Sequence, residues 1–136
     1  MNYYLMAFKR YADFSGRSRR KEYWYFVLFN FLIYILLFAA DMAIISNSSS
    51  AGLGIFSGIY ALATLIPSLA VAVRRLHDIG RSGWSILFGL IPLIGAILLL
   101  IWYTTDSQVG SNAYGLNPKD IGEDQLIEQI GGARAY

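Results

Sequence analysis

Three long apolar stretches, 23–45, 53–73 and 84–103, dominate the chain, and short polar segments separate them. The second and third contain no Asp, Glu, Lys, Arg or His; the first contains one acid, Asp41. Each is long enough to cross a bilayer as a helix, which takes about 20 apolar residues. The apolar positions come in blocks rather than in the periodic pattern of an amphipathic helix, which favours lipid over a soluble core as their surroundings. The pattern predicts an all-α integral membrane protein with three transmembrane helices. Ahead of them, Tyr4, Phe8 and Tyr11 fall at i, i+4 and i+7 beside Lys9 and Arg10. That spacing suits an N-terminal interfacial helix in the headgroup region, although a short helix packed on the rest of the protein would use the same face. The predicted membrane domain covers 1–119, and 120–136 form a polar C-terminal tail.

The polar segments refine this outline. Ser46–Ala51 is uncharged and serine-rich, which predicts a tight reversal between antiparallel helices. The second helix is expected to run past its apolar part to Ile79 and stop at Gly80, a C′ glycine. Ser82 then caps the third helix. Gly54 and Gly58 stand at G-x-x-x-G spacing, where small residues let helix backbones approach in lipid; contact within the chain is the favoured use. Residues 106–118 are rich in Gly, Asn and Pro and read as turns. They lack the spacing of a calcium loop.

Composition narrows the chemistry. Of 136 residues 56% are hydrophobic and 15% charged, whereas a soluble domain carries about 25% charged residues. There is no cysteine and one histidine, so thiolate chemistry and a multi-histidine metal site are excluded. No cofactor and no nucleic-acid partner are expected. The apolar run 23–45 is longer than a signal-peptide core, and its basic leader is too long for one.

The distribution of charge predicts orientation. Lys9, Arg10, Arg17, Arg19, Arg20 and Lys21 precede the first stretch, and Arg74, Arg75 and Arg81 separate the second from the third. That is nine of the eleven Lys and Arg residues. The positive-inside rule therefore puts these segments in the cytoplasm. With three crossings, the C-terminus would be periplasmic or extracellular.

Three stretches together carry a family resemblance. They are Tyr11–Arg17 running into Arg19–Trp24; Arg74–Asp78 with Gly80–Trp84; and Ile91–Gly95 followed by Asp106, Gly110, Asn112, Tyr114, Gly115, Asn117 and Pro118. In this order and at this spacing they resemble the bacterial inner-membrane family known as domain of unknown function 805, over roughly residues 1–119. The resemblance implies a bacterial cytoplasmic membrane and a three-helix arrangement. It implies no activity, since the family's name records that none is assigned.

Two constellations could carry function. Arg17, Arg19, Arg20, Arg74, Arg75 and Arg81, around His77 and Asp78, form a candidate anionic-headgroup site, because guanidinium groups bind phosphate bidentately and basic residues are attracted to anionic lipid. The bland alternative is topogenic charge, with Asp78 paired to an arginine. The second is a candidate intramembrane polar layer of Asn30, Pro67, Ser68 and Pro92, all roughly 10–12 Å from the cytoplasmic interface at 1.5 Å per helical residue. Pro67 and Pro92 free the carbonyls of Ala63 and Phe88, and Asn30 or Ser68 could supply the donors that lipid does not. The alternative is tight packing without a cavity. Asp41 reads as an outer-interface residue ahead of a proton relay. The chain is accordingly read as a membrane protein meeting membrane lipids, a protein partner or further copies of itself. Two rivals stand beside it: a subunit of a small oligomeric transporter or channel, and a membrane enzyme acting on a phosphorylated lipid with His77 and Asp78 as acid and base.

Overall fold

The computed structural model describes residues 2–47 and 54–120, and all its regular elements there are helical. The tail from 121 and most of the Ser46–Ala51 reversal lie outside the described residues. In order come α1 (Asn2–Lys9), α2 (Arg20–Asn47), α3 (Ile55–Asp78), a 3₁₀ helix (Gly83–Leu90) and α4 (Ile94–Thr104). Two of these, α2 and α3, are long and apolar enough to cross a bilayer; α4 is a shorter apolar helix. Along α2, large apolar side chains such as Leu28, Phe31, Leu36 and Ile44 are exposed, as expected where lipid rather than protein is the neighbour.

The chain divides into two compact units. The first comprises 1–13 and 24–70. Here the aromatic face of α1 is turned onto α2: the Tyr4 ring lies 5.8 Å from Phe26 and 5.6 Å from Phe29, and Phe8 lies 6.0 Å from Phe26. Asp41 is not a free side chain reaching for solvent. It is buried, with one carboxylate oxygen accepting from the Phe56 amide at 3.1 Å and the other from the Ser57 amide at 2.8 Å and hydroxyl at 2.7 Å. The first amides of a helix have no partner within it, so an acid from α2 caps α3. Gly54 sits against this carboxylate, where an added Cβ would lie 3.3 Å from it, while Gly58 has open space.

The second unit comprises 14–23 and the chain from Val71 onward. Its apolar centre is Ala72, Leu76 and Tyr103, with Tyr23, Ile86, Leu99 and Trp102 packed on them. The end of α3 follows expectation. Gly80 has φ 76°, its amide donates to His77, and the Arg81 amide reaches back to the Leu76 carbonyl at 3.0 Å. This is a Schellman ending. The Ser82 hydroxyl then accepts from the Trp84 amide.

The third apolar stretch is helical but is not one rod. The 3₁₀ helix ends at Leu90, a turn occupies Ile91–Leu93, and α4 starts at Ile94. Proline 92 has no amide to continue a ladder. The two arms pack on each other, with Phe88 edge-on to Trp102 at 5.5 Å and Gly89 against Leu99.

Candidate functional site

The one strongly polar assembly among the described residues lies in the second unit, and it begins with helix geometry. Residues three apart share a helix face, so Arg75 and Asp78 meet at the end of α3 and form an ion pair. Arg17 reaches the same carboxylate at 3.0 Å, and the Ser107 hydroxyl donates to it at 2.5 Å. Asp78, Arg75 and Arg74 are 0% exposed and Arg17 is 5% exposed. One carboxylate is thus held between two guanidinium groups away from solvent.

The remaining donors go to backbone carbonyls. Arg17 binds the carbonyls of Gly110 at 2.7 Å, Gln108 at 2.6 Å, Asp78 at 3.1 Å and Gly115 at 3.4 Å. A guanidinium has five N–H donors, and with Asp78 all five are spent on this chain. Arg75 binds the carbonyls of Tyr103 and Thr105. Arg19 binds the Pro118 carbonyl at 2.6 Å through Nε. Arg74 faces Glu22 at 3.5 Å, and its carbonyl accepts the Ser18 amide at 3.1 Å.

His77 is locked in place. Its Nδ1 lies 3.2 Å from the Gly16 carbonyl, which can only accept, so Nδ1 carries the proton. Its ring stacks on Tyr114 at 3.9 Å and 2°. Its carbonyl accepts from the Asn112 amide side chain at 2.9 Å. An added Cβ on Gly83 would lie 3.4 Å from Nε2. The segment that supplies these partners is held by its own turns: Asn112 and Gly115 exchange backbone bonds, and the Asn117 side chain accepts from the Lys119 amide. Lys119 pairs with Asp106, which holds that carboxyl below its usual range.

The candidate headgroup residues therefore separate into two classes. Arg17, Arg74, Arg75, His77 and Asp78 converge in the buried assembly. Arg20 and Arg81 are exposed, and Arg19 is half-buried. The Arg81 guanidinium lies 4.1 Å over the Trp102 ring. Ser107, Gln108, Tyr114 and Glu22 take part without having been singled out for this role. A turn-rich segment signals a loop, but not that its carbonyls will receive arginines.

Residues 105–118 also change the spatial arrangement. The sequence expectation sets the chain after Tyr103 a bilayer's thickness from the Arg74–Gly83 region. In the structure the two are hydrogen-bonded to each other, because Arg17, Arg75 and Asp78 need acceptors and donors that this segment carries.

The polar layer is also differently built. The Ala63 carbonyl freed by Pro67 accepts from the Tyr11 hydroxyl at 2.8 Å, not from Asn30 or Ser68. Asn30 instead accepts from the Tyr60 hydroxyl. Pro92 belongs to the other unit, in the turn, where the Phe88 carbonyl accepts from the Ile91 amide at 3.0 Å.

Comparison with known proteins agrees with the motifs. The family described as "Protein of unknown function (DUF805)" matches residues 11–116. Inner membrane protein YhaI of Escherichia coli K12 is 45% identical over 120 residues, covering 88% of this chain and 97% of YhaI. Inner membrane protein YhaH of the same strain is 39% identical over 119 residues, covering 88% and 98%. No solved structure matches. On these grounds the chain belongs to the DUF805 family of bacterial inner-membrane proteins.

Proposed function

We propose that this protein presents a folded, basic cytoplasmic cap to anionic headgroups, with Arg20, Lys21 and Arg81 as the contacting cations. The observation that carries this reading is the separation of the arginines. Arg17 and Arg75 are consumed by the cap's own carbonyls and Asp78, whereas Arg20, Lys21 and Arg81 stay exposed. Near an anionic surface each such cation contributes about 1 kcal/mol. Trp84, three residues after Arg81 and 79% exposed, has the amphipathic ring that favours the headgroup level. The cytoplasmic assignment follows from the basic residues of 9–21 and 74–81.

Against the rival enzyme reading weighs the commitment of Asp78 to two arginines and Ser107, while the Gly16 carbonyl orients the His77 ring through Nδ1.

Native mass spectrometry of the detergent-released protein tests the proposal. Wild type is expected to retain phosphatidylglycerol or cardiolipin, and the Arg20→Gln/Lys21→Gln/Arg81→Gln variant to lose most of it at unchanged elution volume. Equal retention by both would overturn the reading. The same spectra give the mass of any assembly, which is what an oligomeric transporter or channel would require.

A further inference from the structure

Both ends of the third apolar stretch are rooted in the same place. At its start, Gly83 packs on Val73 and His77 of α3. At its end, Arg75 of α3 takes the carbonyls of Tyr103 and Thr105, and the Tyr103 ring lies 4.5 Å from Tyr23. Arg81, just before the first arm, covers Trp102 near the end of the second.

The arms are also too short to cross. The first has eight residues, or about 16 Å at the 3₁₀ rise. The second has eleven, again about 16 Å at the α-helical rise. The hydrocarbon core is about 30 Å thick. Two arms of equal length that start and finish together reach roughly the bilayer midplane and return.

We propose that 83–104 is a re-entrant hairpin whose partner is the acyl-chain layer of the one leaflet next to the Arg17–Asp78 assembly. The chain then crosses the bilayer only through α2 and α3, and residues 105–118 remain on the side of Arg17. The hairpin surface has the chemistry for this: Leu87, Leu90, Leu93, Ile97 and Leu100 are exposed, Leu90 and Leu93 each by 79%. Irregular backbone in lipid must satisfy itself, and this turn does so through Ile91 to Phe88, Ile94 to Pro92, Gly95 to Ile91 and Ile97 to Leu93. Charge agrees as well. Positions 22–73 contain no Lys or Arg, so two crossings leave the far-side connection without a basic residue, in keeping with the positive-inside rule.

The absence of native cysteine allows a direct test. Val109, 91% exposed, and the exposed Ala113 report the segment after the hairpin; Ala12 reports the side before α2, and Ser46 the side after it. Each is replaced singly by cysteine and labelled in intact cells, then in permeabilised cells, with a membrane-impermeant maleimide. Val109→Cys and Ala113→Cys are expected to follow Ala12→Cys and to oppose Ser46→Cys. Agreement with Ser46→Cys instead would mean a third crossing and overturn the hairpin. The comparison reads sameness of side, so it stands or falls independently of headgroup binding.

Discussion

Arg17 shows how far a basic residue in a membrane protein can be from a ligand site. Its sequence position, in a run of arginines ahead of an apolar stretch, gives it the same standing as Arg20. Position in the fold separates them, since Arg17 has every donor engaged within the chain. Asp78 is the acceptor that makes this tolerable, because two buried guanidinium groups without a carboxylate would repel each other. Asp78→Asn is therefore expected to cost about 3–5 kcal/mol, the range for removing one partner of a buried pair. Thermal unfolding in detergent measures it, and a shift no larger than that of Arg20→Gln would refute the assignment. Asp41 is the second acid with a structural duty. Asp41→Ala should lower the unfolding temperature by several degrees by stripping the amides of Phe56 and Ser57, and Asp41→Asn, which keeps an acceptor oxygen, by less. Neither change should alter a proton-dependent property, as a relay would require.

At the scale of elements, the turn between the two short arms is the unusual feature. Leu93 has φ 66° and ψ −62°, and the Ile94 amide donates to the Pro92 carbonyl at 2.7 Å. This is a positive-φ γ-turn, a strained conformation for a residue with a Cβ. Leu93 is exposed, so Leu93→Gly removes the strain while sacrificing little packing within the chain. It is expected to stabilise the protein by about 1 kcal/mol, the lower end of such strain. Gly95→Ala should do the reverse, since an added Cβ would collide with the Phe88 carbonyl. The two variants bracket the turn: opposite shifts in unfolding temperature support it, and equal shifts do not. Hydropathy over 84–103 could not reveal this reversal. Pro92 and Gly95 are compatible with a kinked straight helix, and what selects the reversal is the pair of roots on α3.

For the whole molecule, the segment after α4 is a structural component of the cap. Deleting 105–118 would leave Arg17 without Gly110, Gln108 and Gly115, Arg75 without Thr105, and His77 without Tyr114. The deletion is expected to reduce steady-state abundance in the membrane at least severalfold, as read by immunoblot against wild type; normal abundance would show that the cap folds without it. Motifs far apart in the chain are thereby brought together. The residues of 15–22, 74–83 and 106–118 make one hydrogen-bonded body.

By itself, the sequence determined the membrane class, the helical content, α2 and α3, the glycine ending at Gly80 and the family. These follow from apolar length and from local backbone chemistry, which need only neighbouring residues. It also marked the residues of the cap as a group through the spacing of three motifs. Only the tertiary structure decided which arginines are buried, that Asp41 caps α3, that Tyr11 rather than Asn30 satisfies Ala63, and that 83–104 turns back. Each of these depends on a partner dozens of residues away, and a guanidinium or carboxylate is equally compatible with water, lipid headgroup or backbone until the fold supplies the nearest one.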